Sequence, residues 1–188
     1  MKFLVLIVIF IGISACSSPT PVSYYQLTMA MPQQANPPEP SVAKTHLQLQ
    51  PVKVANYLNG AGLVMARSDV ELVIANRHLW ADALDQQLYR LLAEQLQARL
   101  PAFQLAPASG ADDLRLQLTI DRFHAQANGV AIISGHYSLS SGNHRANHAF
   151  NYQQPLQADG YPALVSALST GWQQLVTELI ADIEQQDL

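Results

Sequence analysis

The chain has 188 residues, a formal net charge of −4 and a single cysteine, Cys16. An acidic balance with 13% charged residues offers no basic face for nucleic acid, so nucleic-acid binding is set aside. One cysteine excludes an internal disulfide and cysteine-based zinc clusters, so folding rests on core packing.

Residues 1–15 read as a secretory signal. Lys2 is a one-charge start, and Phe3 to Ile13 is an apolar run too short to cross a bilayer as a helix. Ile13-Ser14-Ala15-Cys16 resembles a bacterial lipobox, with Ile where Leu is commoner. In that motif the cysteine thiol takes a diacylglyceryl group, cleavage makes the cysteine residue one, and its amine takes an N-acyl chain. Each buried CH₂ contributes about 0.8 kcal/mol, so two or more chains hold a protein stably where one is marginal. Cys16 is the expected lipid attachment site, and beyond that covalent lipid no cofactor is expected. Ser17 stands where an Asp resembles an inner-membrane retention signal, which favours the outer membrane.

Residues 16–44 read as a Pro-rich tether, with Pro19, Pro21, Pro32, Pro37, Pro38 and Pro40 favouring extended geometry. One aromatic, β-prone island interrupts it, Tyr24-Tyr25-Gln26-Leu27, read as a short edge strand docked on the domain. The domain proper is read over residues 45–188. His46 to Ala55 alternates as a strand with a bulge or edge position at Pro51. Tyr57-Leu58-Asn59-Gly60 leads to a turn, and Leu63–Arg67 with Val70–Ala75 reads as a hairpin around Ser68-Asp69. Trp80 precedes Asp82, a candidate cap for a helix over Ala83–Leu100 whose face is Leu84, Leu88, Leu91, Leu92, Leu96 and Leu100.

Phe103–Ala106 suits a short strand. Asp113 to Phe123 places Leu114, Leu116, Leu118 and Ile120 inward, and Asn128-Gly129 turns it into Val130–Ser140. Ser141-Gly142 turns again into Arg145–Tyr152, completing a three-strand meander. Gly160-Tyr161-Pro162 opens a last amphipathic helix through Leu164, Leu168, Trp172, Leu175, Leu179 and Ile183. The expected fold is α+β: a single domain with a mostly antiparallel sheet and two amphipathic helices packed on one face.

Catalytic signatures are missing from this pattern. His144 and His148 share one face of a strand and His136 lies on its neighbour, yet exposed polar residues on a solvent face explain them better than a metal site. Ser166 and Ser169 sit within an amphipathic helix rather than a nucleophile elbow, and no Gly-rich phosphate loop is present. The chain reads as a non-enzyme without a metal.

Several stretches in order carry a wider resemblance. They are the lipobox, Tyr24-Tyr25-Gln26-Leu27, Tyr57-Leu58 at a strand exit, and Arg77-His78-Leu79-Trp80-Ala81 before a Leu-rich helix. The meander follows, then a C-terminal helix with Ala163-Leu164-Val165-Ser166-Ala167-Leu168. Together they resemble the ABC-type transport auxiliary lipoprotein family. The resemblance implies an outer-membrane lipoprotein on the periplasmic face, in a system moving lipid or hydrophobic molecules between membranes. It implies an MCE-domain partner anchored in the inner membrane, and self-association to match a tube end is compatible with it. Candidate partner contacts are Tyr24, Tyr25, Tyr57 and Trp80, since aromatics are favoured interface anchors. The rival readings are a periplasmic lipid-binding carrier and an assembly factor for an outer-membrane complex.

Overall fold

The computed structural model describes residues 21–30, 45–105, 110 and 113–185. Of the stretch read as a tether, residues 16–20, Cys16 and Ser17 among them, and 31–44 lie outside the described residues. Among the described residues nine strands are present: β1 Ser23–Tyr25, β2 Thr45–Leu49, β3 Lys53–Val54, β4 Gly62–Ala66, β5 Leu72–Trp80, β6 Phe103–Leu105, β7 Leu114–Ala125, β8 Val130–Ser141 and β9 His144–Pro155. Two helices, α1 Leu84–Arg99 and α2 Tyr161–Glu184, complete the α+β domain, with a 3₁₀ turn at Asn56–Leu58.

β7 is the axis of the sheet. Its alternation buries Leu114, Leu116, Leu118 and Ile120 completely on one face. A bulge then leaves Asp121 as the extra residue, since Ile120 pairs with Gly135 and Arg122 with Ser134. The shift turns Phe123 and Ala125 toward the core in place of the residues that strict alternation would bring there. β8 lines one whole edge of β7 antiparallel, and β9 pairs with β8 in the same sense. Gly129, at φ 77°, supplies the left-handed residue that the first of these turns requires.

The other edge of β7 is shared in succession by three short parallel strands. Leu47–Leu49 of β2 pairs with Leu114–Leu116, β3 with Thr119–Ile120, and Met65 of β4 with Ala125. Beyond them β6 adds to β2 in parallel, β5 to β4 antiparallel, and β1 to β5 in parallel. The long pairings are therefore antiparallel, as the hairpin signals require, while the short ones make the sheet mixed. Pro51 explains the split between β2 and β3. It has no N–H to donate, so the run expected as one strand stops at Leu49 and resumes at Lys53. The backbone bonds continue around it, from the Gln50 N–H to the Leu116 carbonyl and from the Ala55 N–H to the Ile120 carbonyl, both at 2.9 Å.

Both helices pack in the one core. Leu84, Leu88, Leu92, Leu96 and Leu100 of the first meet Leu164, Leu168, Trp172, Leu175, Leu179 and Ile183 of the second and the inner residues of β7 and β8. Each such leucine, fully buried, contributes about 1.5–3 kcal/mol before entropy is charged against it. α2 lies so close to β8 that a Cβ at Gly171 would stand 2.3 Å from Ile133 Cδ1, so the Ile133 side chain would have to shift to admit a larger residue. The start of α1 differs from the sequence expectation. β5 runs through to Trp80, the cap position falls on Ala83, and Asp82 instead pairs its Oδ2 with Arg90 Nη1 at 3.1 Å.

Candidate functional site

The N-terminal segment is strapped across the domain, and the polar residues that hold it come from the helices. β1 adds to the edge of β5, with Ser23, Tyr24 and Tyr25 opposite His78, Leu79 and Trp80. The chain then crosses the helix pair, burying Leu27 and partly burying Met29 against the core. The Leu27 N–H donates to Gln87 Oε1 at 3.1 Å, the Thr28 N–H to Ser169 Oγ at 3.1 Å, and Gln95 Nε2 to the Ala30 carbonyl at 3.2 Å. Gln87, Gln95 and Ser169 are all buried. Buried polar groups of this kind are stabilising only when paired, and here each is paired to backbone of the strap. Any pull on the N-terminal chain is therefore shared among a sheet edge and both helices.

Gln87→Ala is expected to destabilise the domain by about 1–3 kcal/mol, because it orphans the Leu27 N–H. Hydrogen exchange at residues 26–30 reads this directly: faster exchange there than in β7 and β8 is expected, and uniform protection would contradict the strap.

The four aromatic candidates part company in the structure. Trp80 is core, 6% exposed and tilted against Phe123 at 6.3 Å between ring centroids, so it presents no ring to a partner. Tyr25 is half-buried: its hydroxyl lies 3.0 Å from His78 Nδ1, and His78 stacks on Tyr161 at 3.9 Å. That trio fastens β1 to β5 and to the first turn of α2. Tyr57 closes the β7 bulge, its hydroxyl donating to the Asp121 carbonyl at 3.0 Å and its ring meeting His124 edge-on. Burial pushes its phenol up to about 12, with the nearby Arg122 cation pulling it down and Asp121 adding to the rise. It stays a neutral donor at physiological pH and cannot serve as a base. Tyr24 alone of the four is free, at 67% exposed.

The histidines do not converge. His148 lies on the helix side of the sheet, opposite and stacked on Tyr137, with Nδ1 3.3 Å from Asp182 Oδ2. His136 projects from the other face toward Asp121 at 3.7 Å. Among the described residues no group of three or more His, Cys, Asp or Glu is arranged to hold a metal. The Tyr137 hydroxyl donates to Asp182 and that of Tyr152 to Glu178, so two carboxylates of α2 are tied to β8 and β9. Burial first, and then these carboxylates, raise both phenols above their ordinary range. These pairs join helix to sheet.

Comparison with known proteins decides what this framework is. The profile of the family described as ABC-type transport auxiliary lipoprotein component matches residues 25–180. The chain belongs to that auxiliary lipoprotein family. The match begins within β1 and ends within α2, so it takes in the strap, the sheet and both helices. The chain is also similar to the intermembrane transport lipoprotein PqiC of Escherichia coli (strain K12) and to that of Shigella flexneri. Each is 33% identical over 165 residues, 87% of this chain and 87% of the relative. The crystal structure of an uncharacterized protein superposes with a TM-score of 0.74 at 33% identity, covering 87% of this chain and 99% of that one. A Xanthomonas campestris crystal structure superposes with a TM-score of 0.72 at 20% identity over 88% and 98%, which bears on the fold alone. An auxiliary lipoprotein of this family is a component of transport machinery and not a member of an enzyme family.

The strap's clips were missed from sequence, although a signal for them exists. Leu84, Gln87, Leu88, Leu91, Leu92, Gln95 and Leu96 form an unbroken three-and-four series, so both glutamines fall on the apolar face. A glutamine on that face needs a buried partner, and the partner is the strap.

Proposed function

We propose that this chain is the outer-membrane lipoprotein subunit of an MCE-type intermembrane system for lipid or other hydrophobic molecules. The acyl chains on Cys16 hold it in the inner leaflet. The domain docks the distal end of a periplasmic tube whose MCE-domain protein is anchored in the inner membrane. The observation that carries this reading is the 33% identity with PqiC across 87% of both chains. Self-association around the tube end belongs to the same reading. A carrier would need space for lipid between sheet and helices, and that interface is filled by Leu88, Leu92, Leu116, Leu118, Leu168 and Trp172, all essentially inaccessible.

A mild-detergent pull-down of the full-length protein from its own envelope, read by mass spectrometry, tests the reading. An MCE-domain protein in near-stoichiometric yield supports it; capture of lipid alone, or of an outer-membrane barrel, overturns it. Tyr24 is the aromatic contact to examine first. Tyr24→Ala is expected to leave stability within about 0.5 kcal/mol of the parent, as an exposed substitution does. It is expected to cut partner capture about tenfold or more, the scale of an interface anchor. Unchanged capture would remove Tyr24 from the interface.

A further inference from the structure

We propose that the β4–β5 hairpin tip is a second membrane contact, with Val70, Leu72 and Ile74 entering the surface of the bilayer that holds Cys16. This rests on the lipid anchor at Cys16.

The first observation is where exposed apolar side chains collect. Among the described residues six large hydrophobic side chains are exposed, and three of them, Val70, Leu72 and Ile74, lie on the hairpin tip or the start of β5, while Val22 and Tyr24 lie beside its far end. Val70 is 95% exposed, Leu72 44% and Ile74 52%; Val22 and Tyr24 stand at 45% and 67%. Leu72 and Ile74 are two apart on one strand and so share a face. The tip that carries Val70 is held in shape. The Arg67 N–H donates to the Glu71 carbonyl at 2.8 Å, the Arg67 guanidinium pairs with the Glu71 carboxylate at 2.7 Å, and the Val70 N–H reaches Ser68 Oγ at 3.4 Å. The Arg67–Glu71 pair cancels its own charge, leaving Asp69 as the net charge of the tip. A surface of this kind suits shallow burial among lipid chains with Asp69 at headgroup level, and not attraction to an anionic patch.

The second observation is the direction of the chain, which selects a membrane as the occupant. β1 is parallel to β5, with Ser23 opposite His78, so the polypeptide enters β1 from the hairpin side. Seven residue steps separate Cys16 from Ser23, a reach of at most about 25 Å. Eight steps along the neighbouring chain from His78 to Val70 span about 26 Å at the ordinary strand rise. The bilayer that receives the acyl chains thus lies within about 25 Å of Ser23. The exposed aliphatic tip projects an equal distance toward the side from which the chain arrives. One anchor leaves a domain free to swivel; a second contact fixes its orientation and holds the opposite end toward the periplasm.

The test uses the full-length lipidated protein in vesicles of phosphatidylethanolamine and phosphatidylglycerol. Because the thioether consumes the Cys16 thiol, Val70→Cys supplies the one thiol for an environment-sensitive nitrobenzoxadiazole label. Gln97→Cys, near the end of α1 where the chain turns into β6 at another sheet edge, is the comparison. Blue-shifted emission and severalfold stronger quenching by nitroxide-labelled lipid for V70C than for Q97C are expected. Equal water-like emission at both sites, with intact mass showing the acyl groups on Cys16, overturns the membrane contact and leaves the anchor standing. A blue shift at V70C that arises only when the captured partner protein is added overturns it in favour of a protein interface. An unmodified Cys16 by intact mass overturns the anchor, and this inference with it.

Discussion

Cys16→Ser is expected to remove the protein from the outer-membrane fraction entirely and to erase the acyl mass from its N-terminus. On the proposed anchoring the effect is all-or-none, because the thiol is the group that would carry the lipid. At about 0.8 kcal/mol per buried CH₂, two or three acyl chains hold far more strongly than any surface contact of the domain. Serine preserves the size of the side chain and removes the nucleophile that accepts the diacylglyceryl group. An uncleaved precursor keeps the apolar run Phe3 to Ile13, so the inner and outer membranes have to be separated before protein is quantified. Intact mass spectrometry of each fraction then reads the modification itself. A serine variant that still fractionates with the outer membrane at the parent level would place the anchor elsewhere.

The second large effect is on stability. Trp172→Ala is expected to cost about 3–5 kcal/mol, against a total of about 5–15 for a domain of ordinary stability. Trp172 is fully buried in α2, and its Nε1 has no hydrogen-bond partner among the described residues, so its contribution is packing. It fills the core where α2 comes within contact of β8 at Gly171, so neighbouring atoms have little freedom to collapse into the void. Trp172→Phe removes the unpartnered N–H along with part of the ring and is expected to cost distinctly less. Urea unfolding followed by the fluorescence of Trp80 measures both, because the chain has two tryptophans and Trp80 remains. A midpoint for the alanine variant close to that of the parent would mean that the α2–sheet interface is looser than its burial implies.

Periodicity decided which parts of this fold could be read from residues. The Leu114–Ile120 alternation and the two Leu-rich helical stripes each describe an element that buries one face, and each is present where its period placed it. Asn128-Gly129 and Ser141-Gly142 marked hairpins because tight turns favour glycine at left-handed φ, as at Gly129 and Gly142. Parallel pairing has no such local mark. Nothing in His46–Ala55 states that Leu47–Leu49 and Lys53–Val54 will line up in parallel along one edge of β7, with β4 after them. The face taken by Trp80 was hidden for a related reason. The register of β4 against β5 is irregular between Gly62 and Val64, so counting by twos along β5 does not carry through to Trp80. Tyr24 could be singled out by its aromatic island, but its exposure depends on pairing with a strand more than fifty residues away. Gln87 and Gln95 were legible as misfits on an apolar stripe, while the backbone they hold was not.

The strap and the proposed anchor and docking role meet at Tyr24, where the N-terminal chain joins the sheet edge. The most direct measurement is photocrosslinking from that position. Tyr24→p-benzoylphenylalanine keeps an aromatic ring there and places a reactive carbonyl on an exposed side chain of the full-length protein in its own envelope. The expected result is a lipoprotein that fractionates with the outer membrane and crosslinks to an MCE-domain protein anchored in the inner membrane. Crosslinks solely to an outer-membrane barrel or to lipid, or a protein that fractionates with the inner membrane, would contradict the docking role.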